Sequence, residues 1–444
     1  MNQPVESIAE QKSVYLRDFE HAPARDGEPE WLTALRRRGI EAFERRGFPH
    51  SKEESWRKTR LSQVANTHYT VQPAAGEASV LAGYRPAVEA GPCLVFLDGR
   101  FDAERSRWAE LPAGVTAAPL SELDGAAATA VENHLGTLAP VDEHPFAALN
   151  TAFVQDVMVI HAARGSLSET PISVVFASSD SEEQAVYPRL LVVVESGAEL
   201  RVVEQHVGGG ANYLSCPVTE LVAADGAILD YYRVQEPGDA ARQLGTVSTR
   251  AGKDAAVRMH TLAAGGQLSR TDIYADLDGT GADVELNGLY LTEGRQFCDH
   301  HTWVSHNTEH TTSRQVFKGV LDGRSETVFD GLVKVAEGAQ KTDAQQENRN
   351  LLMSKMALAH SNPRLEIYAD DVKCSHGSTT GQLDKEALFY LRSRGVGPAD
   401  AKSMLVFAFA NEMLEPIKVS GLHDYERGLL FRRLPGDETV REVV

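Results

Sequence analysis

The residues best equipped for chemistry lie in "YADDVKCSHGSTTGQLD", Tyr368 to Asp384. Cys374 and His376 stand two residues apart there, followed by Gly377. On a strand, alternation puts the thiol and the imidazole on one face. Gly377 permits a sharp turn directly after them. A thiolate and an imidazole together suit iron or zinc. Two ligands from one strand do not complete a site, so the others must come from a distant part of the chain or from another chain. The competing reading is a buried thiol beside a hydrogen-bonded imidazole with no ligand role.

A denser group of potential ligands is "CDHHTWVSHNTEH", with Cys298, His300, His301, His306 and His310. His306 and His310 have helical ligand spacing, but the intervening Thr, Val and Trp predict a strand. Alternation then places His300 and His306 on one face and His301 on the other. A polar sheet face or a protein contact explains this group as well as a metal does. No C-x-x-C occurs, and Cys93, Cys216, Cys298 and Cys374 are widely spaced. That pattern argues against a disulfide framework and for a reducing, cytoplasmic setting. No phosphate-binding glycine loop or nucleophile elbow is present.

The elements that must position these residues follow from texture. Residues 1–75 read as a helical region, with Trp31, Leu32, Leu35, Ile40 and Phe43 near helical spacing. Residues 76–149 are a mixed connecting region. From 150 to 382 short apolar runs recur between Gly, Asp and Asn, each predicting a strand. Four of them follow similar turns: "SGAEL" at Ser196, "DGAIL" at Asp225, "KDAAV" at Lys253 and "TGADV" at Thr280. A period of roughly 28 residues without intervening helices points to a mainly β chain built as a stacked β-solenoid. An antiparallel sandwich is the alternative. Residues 383–444 turn helical again, with Asp384 as an N-cap. Ala401, Met404, Leu405, Ala408 and Phe409 form an apolar stripe, on helices that either cap the solenoid or form a docking surface.

Composition excludes some functions. The chain has 444 residues and a net charge of −19, which opposes nucleic-acid binding. No apolar run is long enough to span a bilayer. The N-terminal segment lacks the basic-then-apolar pattern of a secretory signal, which weakens a further reading: a polysaccharide-active solenoid enzyme using Asp370 and Asp371.

The stretch Asn362 to Gly395 resembles a signature of the SufB/SufD family of the SUF iron–sulfur cluster assembly machinery. "GFPHSKEESWRKTRL", "HPFAALNTAF", "HTWVSHN" and "KTDAQQENRNLLMS" are similar to further parts of that family. The resemblance is to SufD-type members, because Asn348 occupies the position where the SufB type carries a cysteine. It implies a right-handed parallel β-helix core at 150–382, flanked by helical regions. It implies a non-catalytic scaffold that pairs with SufB, forms a homodimer when isolated, and binds the SufC ATPase through its C-terminal helices. His376, with Cys374 second, would then be a candidate ligand of a nascent cluster shared with SufB. Sulfur would arrive from a cysteine desulfurase system, a reduced flavin would be held by the complex, and this chain alone would bind no cofactor. The narrowest version leaves a purely structural interaction module.

Overall fold

The computed structural model describes residues 8–22, 28–71, 76–82, 84–108 and 111–433. The end of the C-terminal region, 434–444, therefore lies outside the described residues. Among the described residues eight α-helices flank a strand-rich centre: α1 (Ile8–Glu20), α2 (Glu30–Arg46), α3 (Ser62–Ala65), α4 (Gly125–His134), α5 (Pro145–Phe153), α6 (Lys385–Ser393), α7 (Pro398–Asn411) and α8 (Ser420–Arg433).

The strands alternate between a ten-stranded and an eleven-stranded sheet, so each coil contributes one strand to each. Pairing in the core is parallel. Leu200 lies beside Leu229, Leu229 beside Val257 and Val257 beside Val284, offsets of 29, 28 and 27 residues. These are the spacings of the four turns, so the repeat read from the sequence is the coil of a β-solenoid and the sandwich reading falls. Among the described residues antiparallel strand pairs occur only near the start, where Cys93–Leu97 meets Arg100–Phe101 and Val115–Pro119 meets Met158–Ala162. Through these strands both sheets extend into residues before 150.

The repeated turn has a simple physical basis. Its second residue takes a left-handed backbone, which glycine adopts without steric cost. Gly197, Gly226 and Gly281 hold φ of 68°, 68° and 80°, and Asp254 holds 53° in the equivalent place. The alanine that follows each (Ala198, Ala227, Ala255, Ala282) is fully buried. The small side chains stack as a column at the solenoid corner. In the next two coils, His310 (φ 60°) and Lys341 (φ 63°) take the left-handed place, each followed by a buried threonine.

Inward-facing Leu, Val, Ile, Tyr and Phe of both sheets form the main core between them. The outer faces are covered separately. The N-terminal helices pack on the eleven-stranded sheet through Phe48, Trp56, Phe146 and Phe153 against Val218, Leu244 and Phe297. At the centre of this contact Arg270 donates to both Asp272 oxygens (2.8 and 2.6 Å) and to Asp299 (3.2 Å). His144 meets Asp272 at 2.9 Å, Thr59 donates to Asp299 at 2.6 Å, and Arg270 lies 3.6 Å over the Trp56 ring.

The helices α7 and α8 pack on the outer face of the ten-stranded sheet, through Phe407, Met413, Leu414, Leu422 and Leu429 against Tyr232, Val234, Leu262 and Leu289. They lie along its flank and do not cap its end. The expected α7 stripe is also displaced: Ser403, Val406, Phe407 and Ala410 are buried with Ala401, whereas Ala408 is exposed and Met404, Leu405 and Phe409 are half-buried. The reason is the strand behind it, where buried Lys318 donates to the Phe409 carbonyl at 3.0 Å and to Glu412, setting the rotation of the helix.

Candidate functional site at the open end of the solenoid

The last coil is left bare. Leu358–Ile367 and Lys373–Gly381 are the final strands of the two sheets and pair only with the strands before them. Their outer edges carry backbone N–H and C=O groups with no strand beside them. Leu358, Ile367 and Tyr368 expose 53, 40 and 60% of their surface. Such long open edges, with these exposed apolar side chains at the ends of one of them, are a template for pairing with another chain.

Cys374 and His376 lie on that last strand. Register sets Cys374 beside Ala344 and His376 beside Gln346. Ala344 and Gln346 are buried, and Cys374 packs against the main core. The inward face of the strand therefore carries the thiol and the imidazole at the mouth of the solenoid, as alternation predicts. Burial raises the pKa of the Cys374 thiol, partly offset by the Ala344 backbone. His376 is exposed. Among the described residues no three His, Cys, Asp or Glu side chains converge to hold a metal ion. The pair can thus supply at most part of a coordination sphere.

The histidines of the Cys298–His310 group are accounted for within the fold. His300 is buried against the Tyr290 ring at 5.3 Å, with the Cys298 sulfur 3.7 Å from its Nδ1. Burial pushes its pKa down to about 4 and the Cys298 thiol well above its ordinary value. His306 shares that inward face, its two nitrogens on Thr311 (2.7 Å) and Ser313 (2.8 Å), and burial takes it also to about 4. His301 lies on the opposite face, paired with Asp299 at 3.0 Å. His310 is the turn residue described above, which removes the helical ligand spacing. The metal reading of this group is thereby overturned: each imidazole has a separate structural partner or place.

Asp370 and Asp371 sit in the turn before the last strand, where Asp371 is tied to Lys341. Asn348 is fully buried and donates to the Tyr290 hydroxyl at 2.9 Å and the Phe317 carbonyl at 3.2 Å. It faces inward on the strand beside that of His376. Residues that the linear sequence did not single out complete the setting. Thr302 and Gln346 both donate to Gln315 Oε1, at 2.8 and 3.4 Å, beneath the mouth. Their signal is the coil period: Gln346 and Gln315 lie one and two coils before His376, on the same column. A cavity of about 310 Å³ lies over the same three strands, lined by Arg314, Val316, Gln345, Glu347, Ser375 and Gly377 among others.

Beyond the site, α6 buries no residue, and Phe389 and Tyr390 expose 75 and 58% of their surface. The Asp384 carboxylate accepts from the Glu386 amide at 2.9 Å and starts this helix as the sequence predicts. The four cysteines are all free thiols. No described helix is long and apolar enough to cross a membrane.

Comparison with known proteins agrees with this architecture. Residues 176–409 match the family model described as SUF system FeS cluster assembly, SufBD core domain, and residues 9–174 match the SufBD protein N-terminal region. The chain is 32% identical over 402 residues to the iron–sulfur cluster assembly protein SufD of Escherichia coli, covering 88% of this chain and 90% of that one. It is 32% identical over 390 residues to an iron–sulfur cluster assembly SufBD family protein of Synechocystis, covering 84 and 85%. The SufD of Bacillus subtilis is 25% identical over 289 residues, covering 64 and 65%.

Proposed function

The chain belongs to the SufBD family of SUF iron–sulfur cluster assembly proteins, and from that premise we propose that it is a non-catalytic scaffold subunit offering half of a transient cluster site to a SufB partner. The observation that carries this is the pairing of two features on one strand. Cys374 and His376 are an incomplete ligand set, and the strand that bears them has an unpartnered edge. A homologous solenoid adding its own end strands would cover Leu358, Ile367 and Tyr368, extend both sheets, and bring the missing ligands to the mouth. Without that partner the same edges favour a homodimer. The cluster is cargo in this reading, built and passed on, which fits ligands held at an opening better than ligands sealed in a core. Its sulfur comes from a desulfurase system, and a reduced flavin belongs to the complex.

The SufC ATPase docks on α6 in this reading, because that helix presents Phe389 and Tyr390 outward and buries nothing of its own. The helix directly follows the His376 strand, so force applied to it reaches the site within a few residues. Four free, widely spaced cysteines support a reducing, cytoplasmic setting in this reading.

The test is His376→Ala in the complex reconstituted with SufB- and SufC-type partners. The complex should assemble normally and its cluster absorbance should be lost. Normal cluster yield from that variant would reduce the chain to a structural interaction module. Polysaccharide cleavage by the chain alone would replace the reading altogether.

A further inference from the structure

Gln346 sits one strand back from His376 in direct register. Neighbouring strands lie about 4.8 Å apart, so the two inward side chains are adjacent. Gln346 is 3% exposed, and its Oε1 has no hydrogen-bond partner. Buried amide oxygens are rarely left so, because the hydration they lose is not replaced. Its other end is fixed. The Nε2 donates to Gln315 Oε1, which also accepts from Thr302. Gln315 presents its oxygen to both groups, so the Gln346 nitrogen faces Gln315 and its own oxygen is left unpaired.

The opposite sheet is shaped to this side chain. A Cβ on Gly331 would stand 2.1 Å from the Gln346 Nε2 and 2.8 Å from its Cδ. Only glycine leaves the amide its place. The lumen thus holds a polar relay, Thr302 to Gln315 to Gln346, whose last acceptor is free beside an imidazole that makes no hydrogen bond among the described residues.

We infer that Gln346 is a positioning residue for His376: its Oε1 accepts the N–H of one ring nitrogen, fixes the tautomer, and leaves the other nitrogen as the ligand or proton acceptor. Imidazole ligands are commonly held this way, with the second nitrogen donating to a carbonyl. The inference rests on His376 being functional as proposed above, but its first test does not.

The experiment uses the full chain with 15N-labelled histidine at pH 8, where the free imidazole is neutral. The His376 signals are those absent from His376→Ala. Long-range 1H–15N spectra should show one tautomer of His376 in the unmodified chain and a mixture in Gln346→Leu. Gln346→Glu keeps an acceptor and should keep the single tautomer. Gly331→Ala displaces the amide without removing it and should give the mixture; it guards against a folding defect special to the leucine variant. Equal tautomer ratios in the unmodified chain, Gln346→Leu and Gly331→Ala overturn the inference. In the reconstituted complex Gln346→Leu should lower cluster yield about tenfold or more; a shifted tautomer with undiminished yield overturns the positioning role. If His376→Ala builds clusters normally while the tautomer result holds, the proposed function fails and the Gln346 contact stands.

Discussion

Replacing Arg270 with leucine probes how the N-terminal helices are held to the solenoid. Arg270 is 1% exposed and bridges Asp272 and Asp299, both fully buried, while stacking on Trp56 and donating to the Ser55 carbonyl at 2.7 Å. Leucine fills part of the volume but leaves two carboxylates with only His144, His301 and Thr59 around them. Breaking a buried ion pair by removing one partner costs about 3–5 kcal/mol, because the remaining charge stays desolvated. Arg270→Leu should therefore lose roughly that much, with the docking of Trp56 and Thr59 failing first. The pH dependence identifies the cause. Burial works to raise the Asp272 pKa, but Arg270 and His144 outweigh it and hold the group well below the usual carboxylate range. A depressed carboxylate contributes stability that is present above its unfolded pKa, near 4, and is lost as pH falls through the folded value. The gap between the unmodified chain and the variant should thus narrow as pH falls to about 4, because burial makes the orphaned carboxylates take up protons before the unfolded chain does. Urea unfolding followed by tryptophan fluorescence, at pH 7 and at pH 4, measures both quantities. A loss under about 1 kcal/mol at pH 7, or a gap that widens in acid, would refute this account of the contact.

Two further outcomes follow from the solenoid itself. His300 and His306 fold with pKa near 4, against about 6.5 unfolded. The unfolded chain binds the extra protons, so stability is full above about pH 6.5 and falls as pH drops toward 4, by about 3 kcal/mol for each histidine; unfolding midpoints between pH 7 and 4.5 that do not fall would contradict the burial of these rings. Gly226→Ala puts a side chain on a φ of 68° with nothing nearer than 3.9 Å, so backbone strain alone acts and should cost about 1–2 kcal/mol in the urea midpoint.

The linear sequence determined the architecture because its signal is local and repeated. A left-handed turn residue followed by a small buried one, with alternating apolar positions, dictates a coil whatever lies elsewhere. Alternation alone placed Cys374 with His376 and separated His301 from His300. Only the tertiary structure decided what each of these residues meets. The metal reading of the Cys298–His310 group fell because each imidazole has its own partner or place: His300 and His306 meet Tyr290 and Ser313 of the facing sheet, and His301 pairs with Asp299. The buried face of α7 turned on Lys318, a cation that its own sequence does not contain. Gln346 becomes a neighbour of His376 only when two coils stack, which converts a separation of 30 residues into one strand spacing. Covalent order fixes which residues alternate; packing between coils fixes which of them touch, and the site is open because among the described residues no strand follows the last coil in either sheet.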